Sequence, residues 1–345
     1  MSVKVIHWGL GAMGGGMAEL IAKKSGIQSV GAIDLDPNKV GKPLGEIFEG
    51  QRMDVIIESN PEEVLAKEAD IVLIATGSFT KEVFPQIKQA VESGKNVICI
   101  AEEMAYPQQQ ERELAQEIDR LAKENNVTVL GTGINPGFVL DTLIIALTGV
   151  CTHVEKIEAA RINDLSPFGP TVMKTQGVGT TVEEFKKGIE EGYIVGHVGF
   201  PESMALIAKA LGWELDEIKE TKEPIISKVY RKTKYVEVYP GMVAGCKHIA
   251  YGIMNGKTVI KLEHPQQVLP ELEGVETGDY INIYGTPNVN MAIKPEIPGG
   301  IGTIAMAVNS IINVIKAKPG LTNMAELPVP AAIMGDLEKM LKMRS

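Results

Sequence analysis

The chain has 345 residues, 44% of them hydrophobic and 23% charged, a composition typical of a folded protein with two domains. Its formal net charge of −10 argues against nucleic-acid binding, because phosphate backbones are bound by clustered Lys and Arg. The three cysteines, Cys99, Cys151 and Cys246, are widely spaced and form no CxxC pair. We therefore expect reduced thiols, and neither a disulfide nor a metal site.

Membrane and export signals are not apparent in the sequence. No segment approaches the ~20 apolar residues that span a bilayer, and the first residues lead directly into a predicted strand without a charged leader. We therefore expect a cytoplasmic protein with no membrane partner.

In the first third of the chain, short apolar runs alternate with helical patterns, as in parallel βαβ units. The predicted strands are Val3–Trp8, Ser29–Asp34, Val55–Glu58, Ile71–Ala75, Asn96–Ile100 and Val127–Leu130. The predicted helices between them are Met13–Ser25, Pro61–Lys67, Lys81–Ser93 and Gln108–Glu124. These elements predict an α/β domain over residues 1–135, built on a doubly wound parallel sheet.

The pattern changes after Leu130. A Gly- and Pro-rich loop, residues 131–137, leads into a predicted helix at Val139–Thr148. Beyond Val154, the segments KIEAARIND, KVYRKTKYVEVY, GKTVIKLEH, DYINIYG and NVNMAIKP alternate polar with apolar residues, which predicts antiparallel strands with one solvated face. Two helices, Val182–Glu191 and Pro201–Leu211, interrupt them. We predict an α+β domain with a mixed or antiparallel sheet over residues 136–300. A last segment, 301–345, contains the helix Gly302–Lys316 and is expected to pack back on the first domain.

A G-x-G-x-x-G motif lies directly after the first predicted strand and opens the first predicted helix. It consists of Gly9, Leu10, Gly11, Ala12, Met13 and Gly14. The glycines allow a tight turn, approach of a pyrophosphate and close packing of helix on sheet, while the helix N-terminus favours the phosphates. In this context the motif predicts a Rossmann-type dinucleotide-binding domain.

Asp34 ends the second predicted strand, 20 residues beyond Gly14. A carboxylate there accepts hydrogen bonds from the ribose 2′-OH of NAD and repels the 2′-phosphate of NADP. No Arg follows Asp34, so we predict a preference for NAD. Lys39 and Lys42 are close enough in sequence to leave NADP use open.

Small and acidic residues follow the fourth and fifth predicted strands, at the sheet edge where ligands bind in such folds. Thr76, Gly77 and Ser78 have small side chains, which would leave room for the backbone of the cofactor. Glu102 and Glu103 follow the run VICIA, and we expect one of them to point inward near the nicotinamide.

Polar residues in the second domain are candidates for substrate binding. Arg161, Asn163 and Asp164 end one predicted strand, and His264 ends another. Arg161 and His264 are expected to form a positively charged binding site for a substrate carboxylate, since the Arg side chain can donate two parallel hydrogen bonds to a carboxylate. His197 lies in a Gly-rich segment. Each of these residues, taken singly, also fits a purely structural role.

Five segments, HWGLGAMGGGMAE, VGAIDLDPNKVGKPLGE, NVICIAEEMAYP, GTGINPGFVLDTL and GHVGFPESMALIA, resemble the 2,4-diaminopentanoate dehydrogenases. Native amine dehydrogenases belong with that family, within a dihydrodipicolinate reductase-like superfamily. The resemblance extends to about Pro330. It implies NAD(P)-dependent oxidative deamination of the C4 amine of 2,4-diaminopentanoate, with Glu102 handling the amine, in a homodimer. The expected substrate-binding set is Asn135, Arg161, Asn163, Asp164, Phe168, His197, His264 and Thr303.

Departures from related enzymes leave alternatives open. The chain lacks the His-rich segment ending in SGT of dihydrodipicolinate reductases, and it has Asn135 where meso-diaminopimelate dehydrogenases carry Asp. An amine dehydrogenase acting on simple ketones, an enzyme similar to either of those families, or a non-catalytic NAD-binding regulator remain alternative interpretations.

Overall fold

The computed structural model describes residues 2–48 and 53–343. The strands are β1 (Val3–Trp8), β2 (Ile27–Ile33), β3 (Ile57–Glu58), β4 (Ile71–Ile74), β5 (Asn96–Cys99), β6 (Thr128–Gly131), β7 (His153–Asp164), β8 (Glu217–Ile226), β9 (Arg231–Lys232), β10 (Glu237–Val238), β11 (Val243–Met254), β12 (Lys257–Gln267), β13 (Gly278–Thr286), β14 (Val289–Ile293) and β15 (Gly320–Thr322). The α-helices are α1 (Ala12–Ala22), α2 (Leu44–Ile47), α3 (Pro61–Leu65), α4 (Thr80–Glu92), α5 (Arg112–Glu124), α6 (Thr142–Thr148), α7 (Pro170–Thr175), α8 (Val182–Glu190), α9 (Phe200–Leu211), α10 (Gly299–Asn309), α11 (Ile311–Lys316) and α12 (Leu337–Met343).

The chain divides into two compact units. The first unit comprises Met1–Phe138 with Pro298–Ser345, and the second comprises Val139–Ile297. Each unit has its own large sheet.

The first unit is built on a seven-stranded parallel sheet with the order β15-β6-β5-β4-β1-β2-β3. All four residues of β4 are buried, as in parallel sheets covered by helices on both faces. The chain order reverses next to β1, so this sheet is doubly wound. The predicted α/β fold class is thereby confirmed.

The C-terminal segment of the first unit completes its core. Met306, Ala307, Val308 and Ile311 are buried with apolar residues of β1, β4 and α1. The predicted single helix Gly302–Lys316 is instead two helices, α10 and α11, which meet at Ser310. Gly299–Lys316 is the one segment among the described residues whose length and hydropathy match a membrane span, and half of it is buried, as in the core helix of a folded domain.

The second unit contains a six-stranded sheet with the order β14-β13-β7-β12-β11-β8. Most of its strands pair antiparallel, as the alternating patterns predicted, but β7 and β12 pair in parallel, so the sheet is mixed. Burial alternates along β7 because only one face of the sheet is covered. The segment KVYRKTKYVEVY, predicted as strand, forms only the two-residue strands β9 and β10.

Candidate active site

The glycine motif forms a close turn between β1 and α1. Gly9 has a φ of +88°, and a Cβ on it would lie 2.6 Å from the carbonyl oxygen of Ala75. A Cβ on Gly14 would lie only 1.8 Å from the carbonyl oxygen of Gly9, so α1 packs close to the turn through this glycine. The position of Gly11 differs, because a Cβ there would meet no atom within 4 Å. Gly9 and Gly14 therefore shape the turn, and Gly11 leaves open space beside it.

The N-terminus of α1 is suited to binding phosphate. Gly11 and Ala12 are exposed, and no side chain caps the first turn of the helix. The N–H groups and positive dipole end of the helix are therefore available to an anion. Met13 lies beside Gly300 of α10, and Leu10 is buried with Leu44. These features fit the pyrophosphate of a dinucleotide.

Asp34, directly after β2, is held against the glycine turn. Its Oδ2 accepts a hydrogen bond of 2.7 Å from the amide of Leu10, and its Oδ1 accepts one of 2.9 Å from the amide of Asp36. Burial opposes ionisation of Asp34, but these two amides and the nearby Lys39 outweigh it and lower the pKa of the carboxyl. Asp34 is thus an anion at the end of β2, where a ribose hydroxyl binds in Rossmann folds.

The segment after β4 is fixed by α4. Thr76 Oγ1 donates a hydrogen bond to the side chain of Gln86, and Glu82 Oε2 accepts a 3.1 Å bond from the amide of Ser78. A Cβ on Gly77 would lie 2.6 Å from Glu82 Oε2, so only glycine fits there without displacing that carboxylate.

Glu102 and Glu103 follow β5 and have different surroundings. Glu103 is 6% exposed, and its Oε2 accepts a 2.6 Å hydrogen bond from the amide of Thr80 at the start of α4. Glu102 is half-buried and hydrogen-bonded to the side chain of Ser78. Burial raises the pKa of Glu102, with a smaller contribution from Glu82, although the Ser78 hydrogen bond opposes the shift. Glu103 therefore holds the start of α4, whereas Glu102 is a half-buried carboxylate with a raised pKa, a combination that is frequent in active sites.

Thr303 of α10 contacts the loop that contains Asn135. The loop that contains Asn135 is tied to α10, because the amide of Ile134 donates a 3.3 Å hydrogen bond to Thr303 Oγ1. A Cβ on Gly133 would lie 3.8 Å from the same oxygen. Thr303 therefore holds this loop against α10.

A row of polar residues crosses one face of the mixed sheet in the second unit. Asp279 of β13 is paired with Arg161 of β7, and His248 of β11 is paired with His264 of β12 and with Lys222 of β8. β7 and β12 are neighbours, so these residues lie in line across five strands. Neither Asp279 nor His248 was singled out from the sequence.

Arg161 forms an ion pair within this row of residues and a hydrogen bond to the backbone. Its Nη1 lies 2.6 Å from Asp279 Oδ1, and its Nη2 donates a 2.5 Å hydrogen bond to the carbonyl of Ile297. Burial raises the pKa of Asp279, although Arg161 and the amide of Ile297 oppose the shift. The charge of Arg161 is therefore balanced inside the protein.

Three histidines of the second unit, His197, His248 and His264, form a buried cluster. The ring of His197 lies between those of Phe200, at 4.7 Å, and His264, at 4.8 Å. His264 Nε2 lies 2.9 Å from Asn163 Oδ1, which fits donation by the ring nitrogen to the amide oxygen. Burial lowers the pKa of His197 and His264 well below the ordinary value, with smaller contributions from Arg161 and the neighbouring histidines. A neutral His264 does not provide the cation expected of it, and its single ring N–H is donated to Asn163.

Two residues of the predicted set lie away from this cluster. Asp164 follows Asn163 in β7, so the two side chains lie on opposite faces of the sheet. Asp164 Oδ1 accepts hydrogen bonds from Ser166 and from the amide of Leu269, and these bonds fix the turn after the strand. Phe168 packs in a separate apolar cluster with Leu165 and other residues. Within the described ranges, no group of His, Cys, Asp and Glu is arranged to hold a metal ion.

The first unit has a Rossmann-type sheet whose glycine turn is suited to a dinucleotide, with the half-buried carboxylate of Glu102 at its carboxyl edge, an arrangement typical of the dehydrogenase class of oxidoreductases. Known proteins are similar to this chain over nearly its full length. The 2,4-diaminopentanoate dehydrogenase of Acetoanaerobium sticklandii is 52% identical, over 98% of this chain and 97% of its own. The amine dehydrogenase of Streptomyces virginiae is 25% identical, over 96% and 98% of the two chains. The solved structure of an amine dehydrogenase from Mycobacterium smegmatis has a TM-score of 0.84 at 27% identity, covering 96% of this chain and 97% of that one.

A family model described as the 2,4-diaminopentanoate dehydrogenase C-terminal domain matches residues 138–343. The chain therefore belongs to the 2,4-diaminopentanoate dehydrogenase family, as its sequence motifs predicted.

Proposed function

We propose that this dehydrogenase catalyses NAD(P)-dependent oxidative deamination of the C4 amine of 2,4-diaminopentanoate, giving 2-amino-4-oxopentanoate and ammonia. The observation that carries the proposal is the half-buried Glu102, whose pKa is raised at the carboxyl edge of the parallel sheet. The name of the 52% identical relative supports this choice of substrate.

The chemistry requires a base at this position. A protonated amine cannot release hydride from its carbon, because its nitrogen has no lone pair with which to form the iminium. Glu102 can take that proton, hold the nitrogen by a hydrogen bond and then help a water add to the iminium carbon. The nicotinamide ring, when bound, supplies the hydride acceptor. A carboxylate with a raised pKa is a stronger base than an exposed glutamate, which favours the first proton transfer.

The cofactor-binding residues favour NAD. Asp34 is ionised and lies beside the glycine turn, where it is suited to accept hydrogen bonds from a ribose 2′-OH. The set proposed to hold the dinucleotide is Gly9, Leu10, Gly11, Ala12, Met13, Gly14, Asp34, Thr76, Gly77 and Ser78.

The amino-acid end of the substrate needs donors for its carboxylate. We propose Arg161 and Asn163 as the principal donors, with Asn135, His197, His264 and Thr303 as further polar contacts. Asp164 and Phe168 are proposed only as supporting residues, because Asp164 is engaged in a turn and Phe168 packs in an apolar cluster.

A second candidate is an amine dehydrogenase that acts on simple amines. It is favoured by the ion pair of Arg161 with Asp279, which occupies the guanidinium that a substrate carboxylate would need. The test is NADH formation from 2,4-diaminopentanoate, 2-aminopentane and meso-diaminopimelate at equal concentrations. We expect the highest kcat/KM with 2,4-diaminopentanoate. A higher value with 2-aminopentane would support the second candidate, and no turnover of any amine would favour a non-catalytic NAD-binding regulator.

We also propose a cytoplasmic homodimer in which a second copy covers the open face of the mixed sheet. That face carries charges of both signs, including Lys156 and Glu158, whose side chains are 2.5 Å apart. A surface of this kind can pair with its own copy about a two-fold axis. Light scattering coupled to size exclusion would give twice the chain mass of 37.2 kDa.

A further inference from the structure

Gln266 of β12 lies next to the residues proposed to bind the substrate carboxylate. It is paired in register with Asn163 of β7, and the two residues are 8% and 6% exposed. Paired residues of neighbouring strands point to the same face of a sheet and lie roughly 5 Å apart. Arg161 is two residues before Asn163, and His264 is two residues before Gln266. All four side chains therefore lie on one covered face of the mixed sheet.

A backbone carbonyl fixes the direction in which the amide of Gln266 points. The Nε2 of Gln176, which follows α7, donates a 2.7 Å hydrogen bond to the carbonyl oxygen of Gly196. Because that oxygen can only accept, the Oε1 of Gln176 is left to face Gln266. It accepts a 3.5 Å hydrogen bond from the Nε2 of Gln266. The Oε1 of Gln266 is thereby directed elsewhere, and it accepts no hydrogen bond from the described residues.

An unused acceptor at this position matches the second charged group of the proposed substrate. The amino-acid end of 2,4-diaminopentanoate carries an ammonium on the carbon next to its carboxylate, and an ammonium has only donors. The neighbouring oxygens on this face are already bonded. Those of Asp279 accept from Arg161 and from a backbone amide. The Oδ1 of Asn163 lies 2.9 Å from His264 Nε2. The Oε1 of Gln266, in contrast, is available to a ligand.

We propose that Gln266 determines substrate specificity by accepting a hydrogen bond from the C2 ammonium of a 2-amino acid whose C4 amine is oxidised. The inference rests on the proposed function and deepens it, since it names the residue that separates a 2,4-diamino acid from a 4-amino acid. A hydrogen bond from an ammonium to an amide oxygen is charge-assisted. A neutral acceptor suffices here, because the substrate's own carboxylate balances its ammonium, and Asp279 balances Arg161.

The experiment compares two substrates that differ only in the C2 amine, 2,4-diaminopentanoate and 4-aminopentanoate with the same configuration at C4. Initial rates of NADH formation give kcat/KM for each. Gln266→Met replaces the amide by an apolar side chain of similar length. We expect kcat/KM for 2,4-diaminopentanoate to fall at least about tenfold, the value of one charge-assisted hydrogen bond, and that for 4-aminopentanoate to change less than about twofold. Gln28→Met, which alters an exposed glutamine of β2, should change neither value.

Gln176→Met tests the orientation of Gln266 independently. It removes the hydrogen bond to Gly196 and the amide oxygen that faces Gln266, so the Gln266 amide can turn over. We expect the preference for 2,4-diaminopentanoate over 4-aminopentanoate to fall in this variant too, by less than in Gln266→Met.

Other results would overturn the proposal in distinguishable ways. Equal losses for the two substrates in Gln266→Met would mean that Gln266 only shapes the site, and an unchanged preference in that variant would exclude it from substrate recognition. If the unmodified chain oxidised both substrates equally well, the role of Gln266 would be refuted and the dehydrogenase activity retained. If it oxidised neither, the proposed function itself would fail.

Discussion

Arg161 and Asp279 form an ion pair across neighbouring strands of the mixed sheet, with 2.6 Å between Nη1 and Oδ1. Both side chains are almost wholly buried, at 3% and 0% exposure. Asp279 Oδ2 also accepts a 2.9 Å hydrogen bond from the amide of Ile297, so each carboxylate oxygen has a partner. Since Arg161 is a proposed ligand of the substrate carboxylate, Asp279 is in a position to orient it.

Asp279→Asn tests the ion pair. It keeps the shape of the side chain but leaves the buried guanidinium of Arg161 without its counter-charge. We expect the free energy of unfolding to fall by about 3–5 kcal/mol, the usual cost of removing one partner of a buried pair. Urea unfolding followed by circular dichroism measures it. Glu276→Gln is the control, because it breaks an exposed pair with Lys294 and should not move the midpoint. Equal midpoints for the two variants would contradict a stabilising role for Asp279.

The sequence contained a signal for this pair that the pattern analysis did not use. In β7, Arg161 lies on the same face as the buried Ile157 and Ala159, and in β13, Asp279 lies on the same face as the buried Ile281. A charge on the buried side of each of two strands is rarely left unpaired. That β7 and β13 are neighbours, however, is a long-range pairing that local periodicity does not contain. For the same reason, local periodicity could not predict that β7 and β12 pair in parallel.

The parallel sheet of the first unit was more predictable, because its strands are buried on both faces and read as continuous apolar runs. β1 was predicted with its observed bounds, Val3–Trp8, and β4 with one residue too many. The pattern did not separate Glu102 from Glu103, since the two are adjacent in a short 3-10 turn, Glu102–Ala105. Only the three-dimensional contacts with Thr80 and Ser78 distinguish the anchoring carboxylate from the one with a raised pKa.

Glu102→Gln tests the proposed base. The amide cannot accept a proton from the amine, so we expect kcat to fall by at least ~10²-fold, within the usual contribution of general acid–base catalysis. NADH binding, followed by fluorescence titration, should stay within about twofold, which separates lost chemistry from lost binding. Turnover near that of the unmodified chain would exclude Glu102 from the mechanism.

The pH profile provides a second reading of Glu102. Because the base must be ionised, the rate should rise with pH through a pKa that lies above the ordinary glutamate value of 4.5. We expect this acidic limb to be present in Glu103→Gln, whose change affects the start of α4, and to be absent from the residual activity of Glu102→Gln. An acidic limb that persists in Glu102→Gln would assign it to another group.

Asp34→Ser tests the cofactor preference. It removes the carboxylate that accepts hydrogen bonds from the amides of Leu10 and Asp36, and with it the repulsion of a 2′-phosphate. We expect the ratio of kcat/KM for NAD over NADP to fall by at least about tenfold, which corresponds to about 1.4 kcal/mol in the difference of binding. A ratio that does not move would contradict the role assigned to Asp34.

Buried histidines predict a loss of stability in mild acid. Burial lowers the pKa of His7 to about 4 and that of His248 to about 3, and it lowers those of His197 and His264 as well. Between pH 6.5 and those values the unfolded chain binds protons on these imidazoles and the folded chain does not. Stability is therefore fully present above pH 6.5 and is lost as the pH falls toward the folded pKa values.

His7 provides the sharpest test of this effect, because it is 1% exposed in the central strand β1. By pH 5.5 its contribution to the loss should be on the order of 1 kcal/mol, since one pKa unit corresponds to about 1.4 kcal/mol. Urea midpoints at pH 7.5 and 5.5 measure the loss in the unmodified chain, in His7→Gln and in the control His153→Gln, which alters an exposed histidine. We expect a smaller loss in His7→Gln alone, because glutamine cannot be protonated in this range. The same loss in all three proteins would mean that acid acts through groups other than His7.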